Sequence, residues 1–205
     1  MGFLEIFANV ISFIGNFMFS VTAFFKNKRL IILFQSTNHF LCIIAEFILK
    51  AYSGMVIEAV SLTRNILLIF VKTKNKVANV LIYTIFLAIA ITVGVILNIK
   101  LSGNVWYGYL PIIGTSIYSV GLIIAFIIDL KPLDQELIIK STLFVNCTLW
   151  GIYGVFVNMW SALICNIINV TLLTIAITKI IIAKEKEKKE EKAEKKKLEV
   201  SMSHN

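Results

Sequence analysis

Seven long apolar runs, most of them close to twenty residues, constrain the fold of this chain more than any other feature. They cover residues 3–25, 30–49, 51–71, 77–99, 106–128, 135–153 and 155–178. A helix of ~20 residues spans the ~30 Å hydrocarbon core of a bilayer. The mean hydropathy is +0.85, and 16% of the residues are charged, well below the share in a typical soluble domain. The sequence therefore predicts an all-α polytopic membrane protein with seven transmembrane helices.

Basic residues mark the predicted loops on one side of the membrane. Those loops and the segment after run seven hold Lys26, Lys28, Arg29, Lys72, Lys74, Lys76 and Lys179. The opposite side receives only Lys50 and Lys100. Under the positive-inside rule the N-terminus lies outside and the C-terminus is cytoplasmic. The net charge of +8 is thus explained by topology, and a lipid bilayer rather than nucleic acid is the expected partner.

The C-terminal tail differs in composition from the rest of the chain. Residues 184–199 hold eight Lys and six Glu in alternating groups. One interpretation is an exposed helix with Glu–Lys pairs four residues apart. The other, which we favour from sequence, is a solvated and partly disordered anchor on the cytoplasmic side.

An internal repeat organises the membrane region. GNFMFSVTAFF at 15–25 aligns with GTSIYSVGLII at 114–124, and Asn38 aligns with Asn146. AYSGMVIEAVSLTRN at 51–65 aligns with IYGVFVNMWSALICN at 152–166, which pairs Tyr52 with Tyr153 and Asn65 with Asn166. Two three-helix units separated by one helix keep the same orientation, a known plan among transporters. The predicted domains are a first repeat at 1–76, a linker helix at 77–99, a second repeat at 100–180 and a charged tail at 181–205.

The order and spacing of these motifs resemble a known group of small carriers. The chain is similar to the YgjV-like bacterial inner-membrane proteins, within the SWEET, SemiSWEET and PQ-loop (MtN3-like) superfamily. The similarity runs from about residue 8 to 180, and its stretches are GNFMFSVTAFFKNKR, LFQSTNH, AYSG…SLTRN and LPIIGTSIY. The resemblance implies a 3+1+3 helix arrangement in a bacterial inner membrane.

Two asparagines and one tryptophan form the core of the expected substrate site. The resemblance implies an Asn on the third helix of each repeat, which Asn65 and Asn166 match, and an aromatic on the second, which Trp150 matches. Asn both donates to and accepts from hydroxyl groups, while an indole face covers an apolar sugar face. The aligned pair Asn38 and Asn146 completes the predicted substrate-binding set.

Four ionisable residues inside the runs are predicted to line the pathway. By helix rise, Arg64 and His39 lie at one level, about 12–13 Å from the cytoplasmic end, and Glu46 and Glu58 lie nearer the outer side. Charged groups within a membrane usually face a bundle interior or a water-filled route. For Arg64 the alternative is snorkelling to the headgroups. For His39 an interhelical hydrogen bond competes with a proton relay and is the favoured interpretation.

Polar stripes on runs one and seven face away from lipid in this prediction. They comprise Glu5, Asn9, Ser12, Asn16 and Ser20 on run one, and Asn158, Ser161, Cys165 and Asn169 on run seven. Their spacings of three and four residues place each set on one helix face. For Ser12, Ser20 and Ser161, interhelical packing is favoured over cavity lining.

No motif in the sequence indicates an enzyme, a metal site or a cofactor. Cys42, Cys147 and Cys165 lie within apolar runs and read as small packing residues. The resemblance implies a carrier of a small, polar, sugar-like solute working by alternating access. The alternative is a scaffold or sensor that kept a carrier fold. It is favoured by the charged tail and by the shortage of prolines, since the chain has only Pro111 near the start of run five and Pro132 in a predicted loop. Whether several copies assemble is left open.

Overall fold

The computed structural model describes residues 2–21, 28–70, 76–127 and 130–202. Within these ranges the chain forms seven α-helices and no strand, which confirms the all-α prediction. The helices are α1 (Phe3–Val21), α2 (Lys28–Ile48), α3 (Tyr52–Phe70), α4 (Lys76–Leu101), α5 (Leu110–Ile127), α6 (Pro132–Phe156) and α7 (Trp160–Met202). A short 3-10 helix at Trp106–Tyr109 leads into α5.

In the described part of the chain, five helices are long and apolar enough to cross a membrane. Their candidate spans are Phe3–Val21, Val80–Leu101, Trp106–Ala125, Pro132–Phe156 and Trp160–Glu190. Helices α2 and α3, which are not among these candidates, carry the predicted pathway residues His39, Glu46, Glu58 and Arg64.

The described helices show large apolar side chains outside and polar side chains inside. Phe3, Phe17, Phe40 and Phe47 are each at least half exposed. The buried polar and charged residues are Ser12, Ser36, Asn38, Glu46, Ser53, Glu58, Ser61, Asn65, Asn98, Ser119, Ser161, Asn166 and Asn169. Water would not favour so much exposed apolar surface, whereas lipid does. This is the architecture of a helical membrane protein.

The helices close into a ring. Among the described residues each helix packs against the next, and two further contacts join α1 to α7 and α3 to α5. Helix α4 packs on the flank shared by α3 and α5. Six helices (α1, α2, α3, α5, α6 and α7) thus surround the polar interior.

One end of the bundle carries two short turns, at 49–51 between α2 and α3 and at 157–159 between α6 and α7. We call this the turn end. An apolar cluster there contains Ala8 of α1, Ala45 of α2, Met159 of the second turn and Ala162 of α7. The beginnings of α1, α3 and α7 therefore lie at the same end.

The two turns have the same backbone geometry. Lys50 and Asn158 have left-handed φ angles of 56° and 58°. The amide that follows each one donates five residues back, from Ala51 to Glu46 at 2.8 Å and from Met159 to Gly154 at 2.8 Å. This is the hydrogen bond that closes a Schellman motif at a helix C-terminus. Both second helices thus end in the same way before the chain reverses.

The second turn comes later in the sequence than predicted. Helix α6 extends to Phe156, and Asn158, predicted on the stripe of run seven, lies in the turn. The predicted pairing of Tyr52 with Tyr153 is therefore wrong, because Tyr52 begins α3 while Tyr153 precedes the turn in α6. Pro132 is also not in a loop: it is the first residue of α6, where its missing N–H leaves no helical bond unmade.

The charged tail continues α7 as a helix to Met202 instead of leaving it as a disordered anchor. Lys184 forms an ion pair with Asp134 in the first turn of α6, and Lys186 lies 4.0 Å from Glu190 one turn further along. Among the basic residues used to predict topology, Lys26, Lys72 and Lys74 lie outside the described residues.

Candidate functional site

Glu46 is the most deeply buried charged residue in the described part of the chain. It lies near the end of α2 and has 0% exposure. Neither carboxyl oxygen has a hydrogen-bond partner among the described residues. The side chain fits because α3 has a glycine opposite: a Cβ on Gly54 would lie 2.6 Å from Oε1 of Glu46. A buried carboxyl without donors is energetically costly, so its presence requires an explanation.

Glu58 and His39 are in direct contact beside Glu46. The Nδ1 of His39 on α2 contacts Oε2 of Glu58 on α3, and both side chains are largely buried, at 14% and 11% exposure. Glu46 and Glu58 are close enough to interact electrostatically. We call Glu46, Glu58 and His39 the acidic centre.

The acidic centre corrects the predicted layering of the pathway residues. Sequence placed His39 level with Arg64 and below the two glutamates, yet His39 pairs with Glu58. Glu58 lies six residues after the first residue of α3, and its long side chain reaches α2. The predicted level of His39 and the predicted level of the glutamates are therefore not separate. Arg64 instead donates from Nη2 to Oδ1 of Asn65 at 3.4 Å.

Uncharged polar groups continue the acidic centre towards α1 and α7. Cys42, one turn before Glu46, lies within electrostatic reach of both glutamates and of Cys165 on α7. Asn16 of α1 donates to the Sγ of Cys42 at 3.7 Å and to the Oγ of Ser12 at 3.1 Å. The polar stripe of α1 therefore faces the interior, as predicted.

Tyr153 connects α6 to the beginning of α3. Its hydroxyl accepts from the amide of Gly54 at 3.1 Å, donates to the carbonyl of Ala51 at 3.2 Å and lies 3.2 Å from Oγ of Ser53. The first amides of a helix have no partner within the helix, and Ala51 offers no side-chain cap. Tyr153 supplies that cap from another helix and is itself 1% exposed.

Asn9 does the same for α7 from the side of α1. Its Oδ1 accepts from the amide of Ser161 at 3.1 Å and from its hydroxyl at 3.2 Å. Its Nδ2 donates to the carbonyl of Asn158 at 3.0 Å. Met159, which precedes α7, has no polar side chain, so this cap too comes from another helix. We call the contacts of Tyr153 and Asn9 the cross-caps; both lie at the turn end.

The predicted symmetric pair Asn65 and Asn166 does not share a level. Asn65 lies 13 residues after the first residue of α3, whereas Asn166 lies six residues after the first residue of α7. At 1.5 Å per residue their depths from the turn end are ~20 Å and ~9 Å. Asn166 donates to its own helix at Ala162, at 2.9 Å, and Asn65 accepts from Arg64. The predicted equivalence is wrong because the alignment passed over the later position of the second turn.

The other predicted substrate residues occupy packing positions between helices. Trp150 donates to Oγ1 of Thr115 at 3.3 Å and packs against the apolar cluster around Ile57 and Ile112. The Oδ1 atoms of Asn38 and Asn146 lie 3.1 Å and 3.0 Å from where a Cβ would stand on Gly15 and Gly114 respectively. The asparagine–glycine contacts of α2 with α1 and of α6 with α5 are thus alike.

Sequence reasoning missed Gly54, Cys42 and Tyr153 as parts of the site. Gly54 matters through the side chain that it admits, and Cys42 through its position one turn before Glu46. Tyr153 stood at the predicted end of run six, where tyrosine is common at a membrane interface. Only the reach of its hydroxyl to the beginning of α3 distinguishes it. The interior stripe Asn9, Ser12, Asn16 and Ser20 was the available signal, and the cross-cap of Asn9 lies on it.

Fold and site together define a helical membrane protein with a buried acidic centre and two cross-caps at one end. No protein-family model, curated protein or solved structure compared with the chain matches it significantly. In the described residues no group of three or more His, Cys, Asp or Glu is arranged to hold a metal ion.

Proposed function

We propose that the protein is a carrier that moves a small polar solute across the membrane by alternating access. The observation that carries this proposal is the pair of cross-caps. Each third helix, α3 or α7, begins against a residue from the opposite half of the ring, and both contacts lie at the turn end. A few polar contacts that join two halves at one end are what an alternating-access carrier must break to open that end.

Matched local geometry supports two three-helix halves, α1–α3 and α5–α7, joined through α4. The Schellman turns at Lys50 and Asn158 correspond, as do the glycine–asparagine contacts of Gly15 with Asn38 and Gly114 with Asn146. Lys50 and Asn158 are separated by 108 residues, as are Asn38 and Asn146, while Gly15 and Gly114 are separated by 99. The contacts of α1 with α7 and of α3 with α5 are equivalent under the same exchange. Parallel repeats of this kind place a transport site between the halves.

The acidic centre supports a transport route between the two halves. Ionisable residues within a membrane are rare and usually belong to substrate or ion pathways. With the N-terminus outside, as the charge distribution predicts, the turn end faces outwards. Glu46 then lies beneath an outer gate formed by the cross-caps. The resemblance to SWEET and YgjV-like proteins agrees with such a carrier and with a bacterial inner membrane.

A scaffold or sensor is the second candidate, and one observation favours it. Pro111 and Pro132 both stand in the first turn of their helices, so no described helix has a proline in its middle to act as a hinge. In that case the cross-caps would be permanent contacts, and the acidic centre would hold the halves together.

Transport by the purified protein in liposomes separates these two functions. Saturable uptake of at least one member of a panel of sugars, polyols and amino acids is expected, with a large loss in Glu58→Gln. Glu136→Gln is the matched control, since Glu136 pairs with Lys140 on a half-exposed face. Absence of saturable uptake from the whole panel would favour the scaffold, whereas equal uptake by Glu58→Gln would contradict a place for Glu58 on the transport route.

A further inference from the structure

We propose that Glu46 is a proton-binding site and that the carrier couples solute movement to the binding and release of this proton. The coupling rests on the proposed transport function, whereas the proton site rests on the geometry of α2 and α3 alone.

The surroundings of Glu46 accept a neutral carboxyl and reject a charged one. The residue has 0% exposure, and both oxygens lack hydrogen-bond partners among the described residues. An ionised carboxylate needs water, donors or a cation close by, and its desolvation is otherwise prohibitive. A proton on the carboxyl removes the charge without requiring any of these.

Titratable groups reach Glu46 from several packed elements. Glu58 approaches from α3, already paired with His39, and Tyr153 approaches from α6. Cys42 lies on the same helix, and Cys165 of α7 faces Cys42. From α1, Ser12 and Asn16 face this region and carry no charge.

The charge balance of this group favours one bound proton. His39 contacts Glu58, whereas neither oxygen of Glu46 has a hydrogen-bond partner among the described residues. Glu46 then remains as the second acid, close enough to Glu58 for like charges to repel. Of two neighbouring carboxyls that repel each other as charges, the one without a partner is the one that binding a proton stabilises.

The packing around Glu46 favours a proton over a larger ligand. Gly54 stands so close that a Cβ there would lie 2.6 Å from Oε1 of Glu46 and 2.8 Å from Cε1 of Tyr153. No solute or hydrated cation fits between groups so close, whereas a proton requires no added volume. The same packing places the cross-cap of Tyr153 directly beside the proton site.

Release of the proton follows from opening of the turn end. When Tyr153 leaves Gly54 and water enters, the O–H bond of the Glu46 carboxyl breaks and the proton passes to water, forming hydronium. The carboxylate that remains is then hydrated. Closing the turn end expels that water and requires the proton to bind again, which links the state of the gate to the proton.

Infrared difference spectroscopy of the protein in liposomes tests the site without any transport assay. At neutral pH we expect the carbonyl stretch of a protonated carboxylic acid in the wild type, its loss in Glu46→Gln and its retention in Glu136→Gln. The wild-type spectrum alone overturns the proposal if that band is absent, whether or not the variant folds. A band that persists in Glu46→Gln also overturns it, because the proton would then belong to another acid.

Thermal unfolding in detergent gives a second readout. The folded state retains a proton that the unfolded state gives up, so stability decreases as pH rises. Between about pH 5 and about pH 8, a range that lies between the pKa values of free Glu and free Cys, the unfolding midpoint of the wild type should fall more steeply than that of Glu46→Gln. Equal slopes would contradict the assignment.

Coupling is tested by uptake with and without a pH gradient across the liposome membrane. A gradient should stimulate uptake by the wild type and leave Glu46→Gln unaffected. A carboxylic-acid band without any solute uptake would refute the carrier and keep the proton site. If the carboxylic-acid band is present but the pH gradient does not change uptake by the wild type, coupling alone is refuted.

Discussion

At the scale of single residues, the interior depends on a glycine that admits a carboxyl group. In most helices Gly→Ala stabilises by about 0.5–1 kcal/mol. At Gly54 a Cβ would press against Oε1 of Glu46 and the ring of Tyr153, and that ring is held by hydrogen bonds at the turn end. The gain in helix propensity is therefore smaller than the cost of overpacking.

We predict that Gly54→Ala destabilises the protein by about 1–3 kcal/mol, the usual range for overpacked sites. Gly151→Ala is the control, because its Cβ would meet Asn166 at an ordinary 3.4 Å. Unfolding midpoints in detergent compare the two. Shortening the acid with Glu46→Asp should recover part of the loss at Gly54, whereas two simply additive changes would contradict direct contact between these residues.

The hydroxyl of Tyr153 provides the second prediction. Tyr153→Phe leaves the Gly54 amide and the Ala51 carbonyl without this partner in a buried place, which typically costs about 1–3 kcal/mol. Tyr109→Phe makes the same chemical change at a more exposed bond, Tyr109 to Asn104 at 2.5 Å. Its effect on the unfolding midpoint should be clearly smaller. Equal losses of stability would mean that the Tyr153 cap contributes no more than the more exposed hydrogen bond of Tyr109.

Much of the acidic centre could be predicted at this scale, and its pairings could not. Glu46, Glu58, His39 and Arg64 stand out in apolar runs because charge in a membrane is costly. Which of them meet depends on helix crossing and side-chain reach, which a count of residues along a helix does not give. His39 therefore pairs with Glu58 rather than lying level with Arg64.

At the scale of helices, α3 and α7 are both preceded by a residue whose side chain cannot cap them. Ala51 and Met159 have apolar side chains, so Tyr153 and Asn9 supply the caps from α6 and α1. Loss of an N-cap usually costs about 0.5–2 kcal/mol and frays the first turn of the helix. The two cross-caps therefore stabilise the first turns of two different helices.

Amide hydrogen exchange can separate these effects. Asn9→Ala should accelerate exchange at Ser161 in α7 and leave Gly54 in α3 unchanged. Tyr153→Phe should do the reverse, so that each variant serves as the control for the other. If either variant accelerated both amides alike, the caps would not act on separate helices.

Helix α7 and its charged extension give a further prediction. The ion pair of Lys184 with Asp134 fixes the start of the extension against α6. Since partly exposed ion pairs contribute at most about 1 kcal/mol, Asp134→Asn should lower stability only slightly, and less at high salt. Spin labels on α6 and on the extension should then show a broader distance distribution. An unchanged distribution would mean that the ion pair does not position the tail.

The number of helices could be predicted from the apolar runs, while the turn between α6 and α7 was misplaced. The run stays apolar through Tyr153 to Val157, so hydropathy alone gives no boundary there. The boundary is set by the left-handed φ at Asn158, a residue type that tolerates it. This error of a few residues shifted the alignment and produced the false equivalence of Asn65 with Asn166.

At the scale of the whole molecule, the interior is polar and the surface apolar, so stability in lipid depends on helix contacts and hydrogen bonds. The closed ring of α1–α3 with α5–α7 brings the polar stripes of α1 and α7 together, as Ser20 donating to Asn169 at 2.9 Å illustrates. In the proposed carrier, this interior becomes accessible from each side of the membrane in turn.

Reactivity of Cys42 tests that claim most directly, because this buried thiol lies beside the acidic centre. The measurement uses a protein in which Cys147 and Cys165 are replaced by Ala, reconstituted in liposomes, with a membrane-impermeant thiol reagent added on one side or the other. Alternating access predicts slow labelling of Cys42 from both sides, with Tyr153→Phe increasing the rate from the side of the turn end. A matched protein that keeps only Cys147 should label far more slowly. A Cys42 that stays unreactive from both sides until the protein unfolds would contradict the carrier and identify a sealed scaffold.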